Sequence, residues 1–339
     1  MMHTRTWRRA VSQPADNIPP PPARPPPPPP PPQVRPQTDA LVPLTEAERD
    51  YLSEAAAYLE RPGFLVRITN KLGRPAEALI RRLPAPASNL VMRSTDKALH
   101  GALRAALFSL PRAPIDVSGV HVRALHASTF QSGSLHSGAA YVSGFTGGML
   151  GAVALPVELP ATTAIMLRSI ADIARRMGAD LSTEEARLEC LAVFGLGSTE
   201  AAGTELRAAL DGAGSSVETG YYAVRSSLTT ATRAAASWAS TATPQQVAEA
   251  LLKGKSSAAS RLIAAIASRF SVVVSQKTVL QLLPVLGAAT GTAANLAFID
   301  HFNRVARYHF GMRLLEARHG PTAVRLAYEQ SARALPPPP

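Results

Sequence analysis

The chain has 339 residues, of which 46% are hydrophobic and only 5% aromatic, and its formal net charge is +11. This length allows one or two domains with a sizeable core, and the single cysteine, Cys190, excludes an internal disulfide and a cysteine-based zinc site. The basic balance would attract polyanions, such as nucleic acid or the anionic face of a membrane, or it reflects only an arginine-rich composition.

Residues 1–40 form a proline-rich arm that includes Pro19–Pro22 and Pro25–Pro32. Proline fixes φ and lacks an N–H, so we predict a disordered or polyproline II arm, either a passive spacer or a ligand for an SH3-like domain. No apolar segment follows Arg8 and Arg9, so we expect neither a Sec nor a twin-arginine signal. The expected location is the cytoplasm.

Residues 41–335 show the periodicity of one helical domain. Thr45 and Glu48 form a capping-box pattern before the first helix, and Thr243 is a candidate cap before Pro244. Further helices are predicted over 64–83, 88–110, 161–177, 182–210, 244–270 and 276–318. The Gly/Ser/Thr-rich residues 211–243 predict a loop with one weak helix, which would be a flexible insertion. No convincing strand pattern occurs, so the predicted class is all-α, a single multi-helix bundle.

Two long stretches carry no Asp, Glu, Lys or Arg. Residues 124–157 contain Gly144, Gly148 and Gly151, and residues 278–299 contain Gly287 and Gly291. Glycine disfavours helices, so several in one window indicate close approach of a partner helix. The two stretches predict glycine-rich central helices, and 278–299 is about as long as a bilayer is thick. Crossings inside a soluble bundle would explain the same spacing.

Glu158 is the only charged residue between Arg123 and Arg168. Its carboxylate either lies near apolar surface with a raised pKa, or it is a solvated loop glutamate between Pro156 and Pro160. Arg168 stands four residues before Asp172, which is typical of an ordinary surface pair on a helix.

Enzyme motifs are incomplete throughout the chain. Gly254-Lys255-Ser256 lacks the earlier glycine of a phosphate-binding loop, and no histidine is followed by the glutamate of a zincin motif. We therefore predict no catalytic residues, no metal and no cofactor. A hydrolase built around Glu158, His126, His136 or Ser134 remains an alternative.

Two blocks of sequence resemble the bacterial EcsC family, named for the third protein of an ABC-transporter operon. The first block is Gly144–Gly151 followed by Leu155–Pro160 and a helix with Arg168. The second block comprises Gln276, Lys277, Leu283, Pro284, Gly287, Gly291, Asn295, Phe302, Ala306, Phe310 and Arg313. The resemblance covers about residues 45–320 and implies an all-helical fold. It implies no settled activity, although some members are labelled peptidases.

The first functional hypothesis is a non-catalytic, membrane-peripheral or lipid-engaging accessory protein. The uncharged helices and a basic C-terminal run, Arg304, Arg307, Arg313 and Arg318, favour it. The expected partner is an anionic membrane surface or lipid at the inner face of the cell membrane, or a membrane protein complex. Nucleic acid is not expected, since no recognised binding module occurs. The other alternative is a purely soluble helical scaffold. The interface candidates are Gly144, Gly148, Gly151, Glu158, Arg168, Lys277, Gly287, Gly291, Asn295, Arg304, Arg307 and Arg313.

Overall fold

The computed structural model describes residues 43–60, 85–111, 113–129, 155–197, 220–243, 245–246, 249, 257–281 and 287–336. Within these residues all regular structure is helical, and no strand occurs. All of the described residues belong to one compact unit. The proline-rich arm lies outside the described residues.

Eight helices build the described part of the chain. They are α1 (Glu46–Leu59), α2 (Ala85–Phe108), α3 (Leu155–Arg176), α4 (Glu184–Leu196), α5 (Gly220–Thr241), α6 (Ser257–Gln281), α7 (Gly287–His319) and α8 (Pro321–Arg333). A further helical segment covers residues 122–129. The longest helix, α7, packs against α1, α3, α4, α6 and α8, while α2 packs most extensively on α3 and α4 on α5.

Phenylalanines form the centre of the core where α4, α6 and α7 meet. Phe194 lies 5.0 Å from Phe270 and 5.4 Å from Phe302 between ring centroids, and Phe298 lies 5.2 Å from Phe302. All four side chains are fully buried. Tilted and edge-on ring pairs of this kind add to the free energy gained by burying apolar area.

Local signals placed several helix ends correctly. The Thr45–Glu48 capping box forms, and Gly178 ends α3 with φ at 84°, a conformation that favours glycine. Thr243 and Gln246 exchange the two hydrogen bonds of a reciprocal cap, as predicted for Thr243. The cap of α4 is Thr183 rather than Ser182, because Ser182 binds the Asp180 carboxylate in the preceding turn.

Helix α3 begins at Leu155, earlier than the predicted start at Ala161. Pro156 is tolerated because N–H groups in the first turn have no acceptor within the helix. Pro160 removes one backbone hydrogen bond only. Glu158 therefore lies on a helix and not in a loop.

The one weak helix predicted within the loop at 211–243 is the 22-residue helix α5, Gly220–Thr241. Tyr221, Leu228 and Ala235 are buried on one face of this helix, so packing outweighs the modest helix propensity of its Ser and Thr residues. The predicted boundary near Phe270 was wrong, since α6 continues to Gln281. The predicted helix 276–318 therefore corresponds to the end of α6 and most of α7, and residues 282–286 between them lie outside the described part.

One described helix is long and apolar enough to cross a membrane by composition alone, within Ala258–Thr278, with a mean hydropathy of 1.4. Buried core helices have the same composition. The stretch is not the predicted uncharged one at 278–299.

Candidate functional site

Glu158 and Lys277 form an ion pair inside the bundle. The Lys277 ammonium donates to the Glu158 carboxylate over 2.7 Å, and the two side chains are 0% and 3% exposed. Glu158 lies in the first turns of α3 and Lys277 near the end of α6, so residues 119 positions apart meet. Both were candidates from the sequence, but their pairing was not predicted.

The surroundings of this pair are mostly apolar. The Lys277 ammonium stands 5.1 Å from the centroid of the Phe298 ring, and burial lowers the pKa of Lys277, although the Glu158 charge opposes that effect. Asn295, one turn before Phe298 on α7, is fully buried. The solvated-loop interpretation of Glu158 was wrong.

Most of the glycine candidates lie outside the part of the chain that the structure describes. Gly144, Gly148 and Gly151 lie outside the described residues. Gly287 and Gly291 lie in the first turns of α7, and their packing lies outside what the structure describes. Their role at close crossings stays a prediction.

The arginine candidates do not form one basic surface. Arg307 is buried and donates from Nε to the Thr129 hydroxyl over 3.0 Å, so it cannot present its charge to a membrane in this structure. Arg304 pairs with Asp300 at 2.8 Å, and Arg313 pairs with Glu189 at 3.0 Å. Arg168 is exposed on α3; its predicted partner Asp172 pairs instead with Arg176 at 3.0 Å.

A polar cleft of about 420 Å³ opens between α4, α5, α7 and α8. Its charged and aromatic lining consists of Glu185, Glu189, Tyr222, Arg225, Arg233, His309, Arg313, Glu316 and Arg325. Arg225 binds Glu316 through both terminal nitrogens at 2.6 Å each, a fork geometry that fixes both side chains. The Tyr222 ring lies between Arg225 and Arg325, whose guanidinium carbons are 5.5 and 5.4 Å from its centroid.

His309 connects this cleft to the core. The Tyr221 hydroxyl lies 2.7 Å from Nδ1, and the Glu189 carboxylate lies 3.1 Å from Nε2. Burial lowers the pKa of His309 despite the Glu189 charge, so the neutral ring carries its proton on Nε2 and accepts from Tyr221 at Nδ1. Burial alone would raise the pKa of Glu189, but the His309 hydrogen bond and the Arg313 charge hold it at about 2.

Sequence reasoning missed this cleft because one wall of it, α5, was predicted only as a weak helix within a flexible loop. The signal that could have found it is the spacing of Tyr221, Leu228, Thr232 and Ala235, which repeats at helical intervals. Arg225 then falls beside that apolar face.

The hypothesised hydrolase residues occupy different surroundings. Glu158 contacts Lys277, whereas His126 packs against Tyr51 and Tyr308, with ring centroids 5.6 and 5.2 Å away. Burial lowers the pKa of His126 to about 4, and neighbouring arginines add to the effect. Ser134 and His136 lie outside the described residues. Across the described ranges, no group of three His, Cys, Asp or Glu side chains is arranged to hold a metal ion.

Comparison with known proteins identifies a family but no individual relative. Searches of the curated proteins and of the solved structures give no significant match. The family model described as the EcsC protein family matches residues 52–315, which is more than half of the chain and includes the ion pair and most of the cleft. The chain therefore belongs to the EcsC protein family.

Proposed function

We propose that this EcsC-family protein is a non-catalytic, membrane-peripheral accessory protein that binds anionic lipid at the inner face of the cell membrane. The observation that carries the proposal is the outward face of α2. Phe108 is 58% exposed there. Arg93, Lys97 and Arg104 lie exposed on the same face.

Helical geometry supports one basic stripe on α2. At about 100° per residue, positions 93, 97 and 104 fall within about 40° of one another around the helix axis. These three side chains make no ion pair within the described residues, in contrast to Arg304 and Arg313. Their charges are therefore available to lipid phosphates.

The expected binding free energy favours weak, reversible attachment to the membrane. Each basic side chain near an anionic leaflet contributes about 1 kcal/mol, so three contribute about 3 kcal/mol at low salt. Insertion of Phe108 below the headgroups would add an apolar contribution that salt does not screen. The α2 face replaces the C-terminal arginine run as the proposed surface, because Arg307 is buried and its neighbours are paired.

Co-sedimentation of the full-length protein with vesicles tests this proposal. We expect binding to phosphatidylglycerol-containing vesicles, weaker binding to neutral phosphatidylcholine vesicles, and loss of much of the binding at high salt. The triple variant Arg93→Gln, Lys97→Gln, Arg104→Gln should lose most of the binding.

A matched triple variant controls for total charge. Replacing Arg49, Arg304 and Arg333 by Gln also removes three exposed positive charges, on other helices, and should preserve binding. Equal binding to neutral and anionic vesicles, or equal loss in both triple variants, would contradict the proposal. A soluble helical scaffold would then be the better hypothesis for the function of this protein.

A further inference from the structure

The cleft between α4, α5, α7 and α8 has unused hydrogen-bonding capacity. Arg233 engages Glu185 through Nε, and Arg313 engages Glu189 through Nε and Glu316 through one terminal nitrogen. Both terminal nitrogens of Arg233 and one terminal nitrogen of Arg313 make no hydrogen bond within the described part of the chain. The two side chains are 67% and 44% exposed, so both are accessible from the cleft.

A buried hydroxyl also lines the cleft without a partner. Thr232 on α5 is 3% exposed, and its Oγ1 has no hydrogen-bond partner among the described residues. An unpaired buried hydroxyl is unfavourable, and a ligand in the cleft could supply the hydrogen bond that Thr232 lacks.

The amino end of α8 opens at the same cleft. Pro321 and Arg325, both in the first turns of α8, line it, and no side chain caps this helix. The amino end of a helix carries a partial positive charge and free N–H donors, which favour a bound anion.

The lining charges leave an excess of one positive charge. Four arginines (225, 233, 313 and 325) face three glutamates (185, 189 and 316), and the lowered pKa of His309 keeps that ring neutral. A volume of about 420 Å³ falls in the range of small-molecule sites.

We propose that this cleft binds a small organic phosphate that carries hydroxyl groups. The phosphate lies beside Arg313, Arg325 and the amino end of α8, and a hydroxyl of the ligand pairs with Thr232. Positions 222 and 232 on α5 are about 15 Å apart, which leaves room for a ligand the size of a sugar phosphate along that helix. The proposal does not depend on membrane binding through α2.

Isothermal titration of the full-length protein with inorganic phosphate and with glucose 6-phosphate tests the site. We expect saturable binding of both at constant ionic strength, with the sugar phosphate binding more tightly. Arg313→Gln should weaken both by about tenfold, since it removes a charge-assisted hydrogen bond to the phosphate. Arg304→Gln is the matched control, because Arg304 is a half-exposed, ion-paired arginine on the same helix.

The threonine provides a second, independent variant. Thr232→Val keeps the shape of the side chain and should weaken glucose 6-phosphate severalfold without lowering the melting temperature. Thr162→Val is its control, because Thr162 is also buried and unpaired among the described residues, on α3 away from the cleft. If Arg313→Gln does not fold, Arg325→Gln replaces it.

A further experiment distinguishes a lipid headgroup from a soluble phosphate as the ligand of the cleft. It also distinguishes failure of the cleft proposal from failure of the membrane-binding proposal. Release of vesicle-bound protein by glucose 6-phosphate would support the site and identify a lipid headgroup as its natural occupant, whereas binding without release would identify a soluble phosphate. The α2 triple variant should keep its affinity for glucose 6-phosphate. No saturable binding, or unchanged affinity in the Arg313, Arg325 and Thr232 variants, would overturn the proposal.

Discussion

The Lys277 ammonium lies 2.7 Å from the Glu158 carboxylate in the interior of the bundle, and this ion pair joins the two sequence blocks that resemble the EcsC family. Removing Lys277 leaves the Glu158 carboxylate buried without the ammonium that it pairs with. We expect Lys277→Met to destabilise the protein by about 3–5 kcal/mol in urea unfolding, while Lys277→Met with Glu158→Met recovers most of the loss. Arg304→Met, in an exposed pair, should cost less than about 1 kcal/mol. Additive losses in the double variant would show that the pair is not coupled.

Gly311 on α7 packs directly against the ring and hydroxyl of Tyr51 on α1, where a Cβ atom would clash. Tyr51 cannot move freely, because it is buried and its hydroxyl donates to the Arg307 carbonyl over 2.9 Å. We expect Gly311→Ala to lower the free energy of unfolding by about 1–3 kcal/mol. Gly101→Ala on α2 is the control: no atom lies within 4 Å of its Cβ position, so helix propensity should raise stability by up to about 1 kcal/mol. Thermal melts that rank the two variants in the opposite order would disprove this packing.

Glu60, just beyond α1, caps the amino end of α5. Its carboxylate accepts from the backbone N–H groups of Gly220 and Tyr221 at 3.0 and 3.1 Å and from the Tyr328 hydroxyl at 2.9 Å. Glutamine has one acceptor oxygen instead of two and no charge to favour the helix dipole, so Glu60→Gln should cost about 1 kcal/mol in chemical unfolding. Glu54→Gln, in an exposed pair with Arg123, should change stability by only a few tenths of that. A similar loss in both variants would argue against the cap.

His126 should make the protein sensitive to mild acid. Its pKa in the folded state is about 4, below the ordinary value of 6.5, because burial and nearby arginines disfavour the charged ring. The unfolded chain therefore binds the proton first, and stability falls as the pH drops from about 6.5 towards 4. Because the ring is only partly buried and solvent screens its neighbours, we expect a loss of about 1 kcal/mol from this group between pH 7 and pH 5, less than the full pKa shift would give. His126→Gln should remove that part of the pH dependence in urea titrations, and an unchanged pH profile would contradict the assignment.

The sequence by itself determined the helical class and several helix ends, because capping and periodicity depend on residues within one or two turns. Thr45, Gly178 and Thr243 each act on their own neighbourhood, and all three were predicted correctly. Two blocks of local sequence were also enough to indicate the family, which the match over residues 52–315 confirms.

Tertiary structure alone decided which of the singled-out side chains meet. Local sequence does not show that Lys277 pairs with Glu158, which lies 119 positions away. It also does not show that Arg307 is buried and donates to the Thr129 hydroxyl. Nor does it show how much of a helix is buried, so α5 was predicted only as a weak helix in a loop, although Tyr221 and Leu228 are buried in the core. The polar cleft follows from that helix, since its charges come from four helices that only long-range packing brings together.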